Sequence, residues 1–134
     1  MQSQDKIKKF LSGKRFAVVG ASQDREKYGN KVLRVYQQNN LEAVPINPKA
    51  TEVEGLTAYP DLPSVPGALD GVSIITPPAV TEQAVSQALS LGIKNIWMQP
   101  GAESDAAIHL AEHAGANVIA RGPCILVALH YHDE

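Results

Sequence analysis

Short, continuous apolar runs alternate with stretches of helical periodicity along most of the 134-residue chain. The runs are "RFAVVG" at 15–20, "EAVPIN" at 42–47, "GVSIIT" at 71–76, "KNIWMQ" at 94–99 and "NVIA" at 117–120. A strand that is apolar at nearly every position is buried on both faces, as in a parallel sheet covered by helices. The sequence therefore predicts an α/β fold: a Rossmann-like, doubly wound, mainly parallel sheet of about five strands with helices on both faces.

The segments between these runs carry helical patterns or turn formers. Residues 30–40, 81–91 and 103–114 place apolar side chains at helical spacing. Residues 51–67 are rich in turn formers and predict a short strand and one helical turn. We expect a single domain over 1–134, with an N-terminal helix within 1–14 and a tail at 128–134.

Composition and charge exclude several classes of protein. Twelve Lys and Arg residues against 14 Asp and Glu give a net charge of -2, without the basic excess typical of nucleic-acid binding. No apolar run reaches the roughly 20 residues that span a bilayer, which argues against a membrane protein. The chain has one cysteine, Cys124, and no apolar leader, so we expect a cytoplasmic protein. A protein partner or a homo-oligomer is compatible with these features, and the sequence does not choose between them.

Clusters of polar residues, glycine and proline follow four of the predicted strands. In doubly wound sheets, ligands bind beyond the carboxyl ends of the strands, so these clusters are predicted to meet at one binding edge. Each cluster by itself is equally typical of an ordinary turn. They are Gly20-Ala21-Ser22, Asn47-Pro48-Lys49, Thr76-Pro77-Pro78 and Gln99-Pro100-Gly101.

The first of these connections is the usual phosphate site of such a fold, because a helix N-terminus offers unpaired amides and a partial positive charge. Arg25 and Lys27 lie in the same connection and add positive charge. The G-x-G-x-x-G fingerprint of dinucleotide sites is absent, since the next glycine after Gly20 is Gly29. The end of the second strand is followed by Lys49 and has no carboxylate of the kind that binds an NAD ribose. A lysine there either is a solvated turn residue or favours a ligand with an additional ribose phosphate, which NADP and coenzyme A (CoA) both carry.

Several motifs together resemble one known family. They are "VVGAS", "YGNKV", "PINPK", "TPP", "GIKNIWMQPGAES" and "GPCI", in this order between about Phe16 and Leu126. This set resembles the small CoA-binding proteins, which are similar to the N-terminal domain of the succinyl-CoA synthetase α subunit. The resemblance implies a Rossmann-like domain that holds CoA or an acyl-CoA across the strand ends.

The resemblance also implies which residues line the ligand, by position. At the diphosphate and adenosine end it implies Gly20, Ala21, Ser22, Tyr28, Gly29 and Asn30, beside the charges of Arg25 and Lys27. Beside the adenosine and its 3′-phosphate it implies Pro45, Asn47, Pro48 and Lys49. On the other side of the switch point, where the strand order of such a sheet reverses, it implies Thr76, Pro77 and Pro78. Near the pantetheine arm it implies Gln99, Pro100, Gly101 and Ala102.

The expected function is non-catalytic binding, as a sensor, a carrier or a regulatory module. We expect neither the second domain nor a counterpart of the phosphohistidine of the synthetase, so the resemblance implies CoA binding without ligase chemistry. No paired carboxylates or Ser-His-Asp set can be argued, although the question of catalysis stays open. The alternatives are an NADP-binding oxidoreductase and a small enzyme that uses acyl-CoA.

No metal site is expected. His109, Glu112 and His113 match H-x-x-E-H, but two histidines on the solvent face of an ordinary helix explain this pattern better. For Cys124 the sequence leaves two interpretations, an inert buried thiol and a thiol that exchanges with CoA disulfides.

Overall fold

The computed structural model describes residues 3–133, so Met1, Gln2 and Glu134 of the predicted terminal segments lie outside it. Within this range the strands are β1 (Arg15–Val19), β2 (Glu42–Ile46), β3 (Glu52–Val53), β4 (Leu56–Thr57), β5 (Gly71–Ile74), β6 (Asn95–Met98) and β7 (Asn117–Ile119). The helices are α1 (Ser3–Leu11), α2 (Tyr28–Gln38), α3 (Pro78–Ser90), α4 (Asp105–His113) and α5 (Ile125–Ala128). A 3-10 turn covers Leu62–Ser64.

Five parallel strands form the main sheet, in the order β2-β1-β5-β6-β7. One apolar cluster packs α3 and α4 against one face, and a second packs α1, α2 and α5 against the other. The burial of β1 and β5 on both faces explains their uninterrupted apolar sequences. The predicted Rossmann-like fold is confirmed.

Two helices begin earlier than the sequence predicted. The helix α2 begins at Tyr28 rather than at Asn30, and α3 begins at Pro78 rather than at Thr81. Proline is accepted at the first helical position because its missing amide would have no partner there. Prolines 77 and 78 therefore begin a helix as well as end a strand.

The segment at 51–67 contains a β-hairpin, formed by the antiparallel strands β3 and β4. Glu54 and Gly55 make its turn with φ values of 48° and 79°. A two-residue turn whose central residues both have positive φ matches the right-handed twist of the strands that it connects. The predicted short strand is thus one arm of a hairpin, and the predicted helical turn is the 3-10 turn.

The edge strand β2 is covered along its outer side. Pro45 has no backbone N–H to donate. Proline is tolerated in an edge strand because no neighbouring strand needs that donor. Its carbonyl accepts a hydrogen bond from Tyr59 N at 3.0 Å, and Asn47 N donates to Tyr59 O at 2.9 Å. The segment around Tyr59 therefore covers the carboxyl end of the β2 edge.

A buried hydrogen bond ties α2 to the sheet. The Tyr36 hydroxyl pairs with Ser73 Oγ of β5, and both side chains are fully buried. Burial raises the pKa of the Tyr36 phenol well above its ordinary value, so the group stays protonated.

Replacing Tyr36 by Phe is expected to destabilise the protein by about 1–2 kcal/mol, because the Ser73 hydroxyl would stay buried without its partner. The double variant Tyr36→Phe/Ser73→Ala should recover most of that loss, since both polar groups are removed. Urea denaturation of the wild type, both single variants and the double variant measures the coupling. Additive effects in this cycle would contradict the argument.

Candidate functional site

A cleft lies where the strand order reverses. From β1 the chain continues to β2 on one side, and β5 lies on the other side of β1. The connections that follow β1 and β5 therefore diverge, and this is the point where doubly wound sheets bind ligands. The cleft has a volume of ≈ 630 Å³. Its lining is Gly20, Ala21, Ser22, Glu26, Lys27, Tyr28, Gly29, Ile46, Asn47, Pro48 and Ile75.

Two glycines set the shape of this cleft. Gly20 has a φ of 96°, and a Cβ atom there would lie 2.6 Å from the backbone oxygen of Ile75. A Cβ atom on Gly29 would lie 2.0 Å from the backbone oxygen of Gly20. The first turn of α2 thus packs directly against the end of β1, backbone on backbone. This is the close approach of helix and strand that the glycines of a dinucleotide fingerprint provide.

The N-terminus of α2 opens onto the cleft without a capping side chain. Lys27 is the N-cap residue and makes no side-chain hydrogen bond to the helix, and the first turn contains no acidic residue. The first amides of a helix have no partner within the helix, and the helix dipole gives this end a partial positive charge. These amides, with the Lys27 ammonium, make a site suited to a phosphate group.

Asn47 joins the connections that follow β1 and β2. Its Nδ2 donates to Ala21 O at 2.8 Å, and its Oδ1 accepts from the amides of Lys49 and Ala50 at 2.8 and 3.0 Å. The Asn47 side chain thus fixes the wall of the cleft. Lys49 is exposed at the turn that Asn47 holds.

A second cleft continues from the first and has a volume of ≈ 300 Å³. It shares Tyr28 and Ile75 with the larger cleft, and Gln99, Pro100 and Cys124 complete its lining. Gln99 is 3% exposed. Its Nε2 donates to Cys124 Sγ at 3.3 Å, and its Oε1 accepts from Ile125 N at 2.8 Å. Gln99 therefore holds the segment after β7 against the end of β6.

A smaller cleft of ≈ 180 Å³ lies on the other side of Gly20. It runs between the ends of β1 and β2, the 3-10 turn and α3, and its lining includes Pro48, Thr76 and Val80. The Thr76 hydroxyl is hydrogen-bonded to Thr81 Oγ1 at 2.8 Å, which fixes the start of α3.

The structure brings most of the predicted site residues to these clefts. The predicted residues that line at least one of the three clefts are Gly20, Ala21, Ser22, Lys27, Tyr28, Gly29, Asn47, Pro48, Thr76, Gln99 and Pro100. The remaining predicted residues do not appear in these linings: Arg25, Asn30, Pro45, Lys49, Pro77, Pro78, Gly101 and Ala102. Their roles toward a ligand stay predictions.

Two of the residues outside the linings have partners within the protein. Asn30 is fully buried, and its side-chain amide binds Ser22, Glu54 and Arg34. The Arg25 guanidinium forms an ion pair with Glu54, at an Nε···Oε2 distance of 3.4 Å. Asn30 and Arg25 are thus placed to hold the connection between β1 and α2, which borders the cleft.

The sequence did not single out Glu26, Ile46 or Ile75 as lining residues. Ile46 ends β2, and Ile75 directly follows β5. Their position at strand ends beside polar clusters is a signal that could have found them. Cys124 also lines the second cleft and is half-buried.

The described residues contain no group of three or more His, Cys, Asp or Glu residues placed to hold a metal ion. His109 and His113 lie side by side on α4, with ring centroids 3.9 Å apart. None of the helices described is long and apolar enough to cross a membrane.

A Rossmann-like sheet with an uncapped helix N-terminus at its switch point is a nucleotide-binding arrangement. The chain belongs to the family described as "CoA binding domain", whose model matches residues 14–130. The predicted family membership is confirmed.

Individual relatives agree with this assignment. The chain is 28% identical over 127 residues to the uncharacterized protein YneT of Bacillus subtilis (strain 168), which covers 94% of this chain and 93% of that protein. It is 31% identical over 90 residues to the alpha subunit of ADP-forming acetate–CoA ligase II of Pyrococcus furiosus. That match covers 65% of this chain and spans only 19% of the ligase subunit.

The fold also matches solved structures. A conserved hypothetical protein from Pyrococcus furiosus superposes with a TM-score of 0.81 at 36% identity, covering 87% of this chain and 99% of that one. The likeness extends over nearly the whole of that structure.

The contact between Gly29 and Gly20 predicts a large effect of one methyl group. Replacing Gly29 by Ala is expected to cost roughly 3 kcal/mol of unfolding free energy, since backbone atoms on both sides cannot move apart easily. Gly92→Ala is the matched control, because a Cβ there meets nothing within 4 Å and only the positive φ of 78° is strained. Its cost should be about 1 kcal/mol. Equal costs in chemical denaturation would show that the close approach is unimportant.

Proposed function

We propose that the protein binds coenzyme A or an acyl-CoA in the clefts at the carboxyl edge of the sheet, as a non-catalytic module. The observation that carries this proposal is the uncapped N-terminus of α2, which faces a cleft of ≈ 630 Å³ at the switch point. A diphosphate fits such a terminus because it accepts several amide hydrogen bonds and interacts favourably with the helix dipole.

The arrangement of the clefts supports one orientation of the ligand. The diphosphate lies against Gly20, Ser22 and Gly29, with Lys27 beside it. The adenosine end extends toward Pro48 and Lys49, and the pantetheine arm extends past Tyr28 into the second cleft. Tyr28 is 63% exposed, so its ring is available to cover the ligand.

In the proposed orientation the thiol end of the ligand lies beside Gln99, Pro100 and Cys124, which line the second cleft. The neutral amide of Gln99 is occupied by bonds to Cys124 and to the Ile125 amide, so this residue shapes the cleft. This supports a binding role: the module senses CoA, carries it or presents it to a protein partner. The cytoplasmic setting expected from the sequence fits the same role.

Isothermal titration of ligand-stripped protein with CoA, dephospho-CoA, NADP and NAD tests this proposal. We expect CoA to bind most tightly, dephospho-CoA more weakly, and both nicotinamide nucleotides not at all. Heat from NADP alone would refute CoA binding and favour the oxidoreductase alternative.

Lys49→Glu tests the contact with the 3′-phosphate. The substitution is expected to weaken CoA by about tenfold, the size of one charge-assisted contact, and to leave dephospho-CoA nearly unchanged. Lys27→Glu should weaken both ligands alike, since both carry the diphosphate. Lys94→Glu, just before β6 at the opposite edge of the sheet, serves as the control without effect. Equal losses for the two ligands in Lys49→Glu would remove Lys49 from the site.

A further inference from the structure

A buried arginine lies behind the β1–α2 loop, defined here as residues 20–27. Arg34 of α2 is 7% exposed, and its guanidinium points toward the start of its own helix. Its Nε donates to Asn30 Oδ1 at 2.6 Å, and its Nη2 donates to Arg25 O at 3.0 Å. A buried guanidinium is costly unless its donors are used, so these bonds hold Arg34 in place.

Asn30 extends this connection to the other end of the loop. Its Nδ2 donates to Ser22 O at 2.8 Å and to Glu54 Oε2 at 3.0 Å. Arg34 and Asn30 together thus bind two carbonyl groups of the loop, those of Ser22 and Arg25. Inside the loop, the amides of Glu26 and Lys27 donate to Asp24 Oδ1 and Asp24 O, both at 3.0 Å, so bonds within the loop add to these two anchors.

The β3–β4 hairpin supports the loop from outside. Glu54 at its turn accepts from Asn30 and pairs with the Arg25 side chain. Gln23 Nε2 of the loop donates to Glu52 O of the hairpin at 2.8 Å. The loop is therefore held by α2 on one side and by the hairpin on the other.

The chain after α5 covers Arg34. The ring centroid of Tyr131 lies 5.4 Å from the Arg34 guanidinium carbon, which is the distance of a cation–π contact. Gln38 fixes this segment by donating to His132 O at 2.7 Å and accepting from His132 N at 3.2 Å. Asn39 Nδ2 donates to Leu129 O at 2.9 Å. The segment predicted as a tail is thus attached to α2 directly over Arg34.

We propose that Arg34 is a positioning residue that holds the β1–α2 loop in its phosphate-binding shape, with Asn30 as its link and Tyr131 as its cover. This inference rests on the proposed CoA site and adds a residue that touches no ligand. A loop that is ordered before binding does not have to be ordered by the ligand, so the affinity is higher. Loss of Arg34 should therefore weaken ligands that use the loop.

Arg34→Gln is the main test, with Arg15→Gln as its matched control. Arg15 also binds backbone carbonyls, those of Pro66 at 2.8 Å and Ala68 at 3.1 Å, and its Nε pairs with Glu42 at 2.8 Å. Arg15 lies at the start of β1, at the amino ends of the parallel strands, whereas the clefts lie at their carboxyl ends. Both variants should lose some thermal stability, whereas only Arg34→Gln should weaken CoA, by about tenfold.

Amide hydrogen exchange of the ligand-free protein gives a second measurement that needs no ligand. In Arg34→Gln we expect exchange at residues 22–27 to accelerate by about tenfold, while Arg15→Gln leaves these amides unchanged. Unchanged exchange in Arg34→Gln overturns the inference, whether or not CoA binds. If the wild type fails to bind CoA while exchange responds as expected, the proposed function fails and the positioning role stands.

Three further variants cover the case in which Arg34→Gln does not fold. Arg34→Lys keeps the charge but lacks the fixed fork of donors, so it should recover only part of the loop protection. Tyr131→Leu removes the ring over the guanidinium and should accelerate exchange at 22–27, whereas Tyr131→Phe keeps the ring and should retain more protection. Equal exchange in the two Tyr131 variants would exclude the cover role of the ring.

Discussion

The direct contact between the backbones of Gly20 and Gly29 is the constraint on which the site depends. Any side chain on Gly29 would separate α2 from the end of β1, because the space between them is smaller than a methyl group. With the contact in place, the positive end of the α2 dipole lies at the switch point of the sheet. The fold thus brings the first two amides of α2, those of Tyr28 and Gly29, to this point without a capping side chain that would compete for them.

Support for this site comes from residues that lie behind it. Asn30, Arg34 and Glu54 are connected by hydrogen bonds, and Asn30 and Arg34 bind the carbonyl groups of the β1–α2 loop. Asn47 plays the corresponding part for the connection after β2. Residues that line the clefts and residues that support them therefore alternate along the same segments of sequence, which explains why motif positions alone do not separate them.

The sequence predicted the sheet well because buried parallel strands leave uninterrupted apolar runs. Strand ends marked by glycine, proline and polar residues also predicted where the clefts lie, since carboxyl ends of parallel strands share one edge. The first turn of α2 was not predicted, because Tyr28 and Gly29 carry no capping signal. The proposed roles of Arg34 and Tyr131 could not be predicted from the sequence either. They depend on a contact between residues 97 positions apart, and local periodicity does not report such pairs.

Closure of the β2 edge has a consequence for assembly. An exposed edge strand can pair with the edge of another molecule, which leads to aggregation or to a continuous sheet across a dimer. Pro45 offers no donor, and the segment at Tyr59 already occupies the Pro45 carbonyl and the amide of Asn47, which follows β2. Pairing of two copies through the carboxyl half of β2, the half beside the clefts, would therefore require the Tyr59 segment to move away.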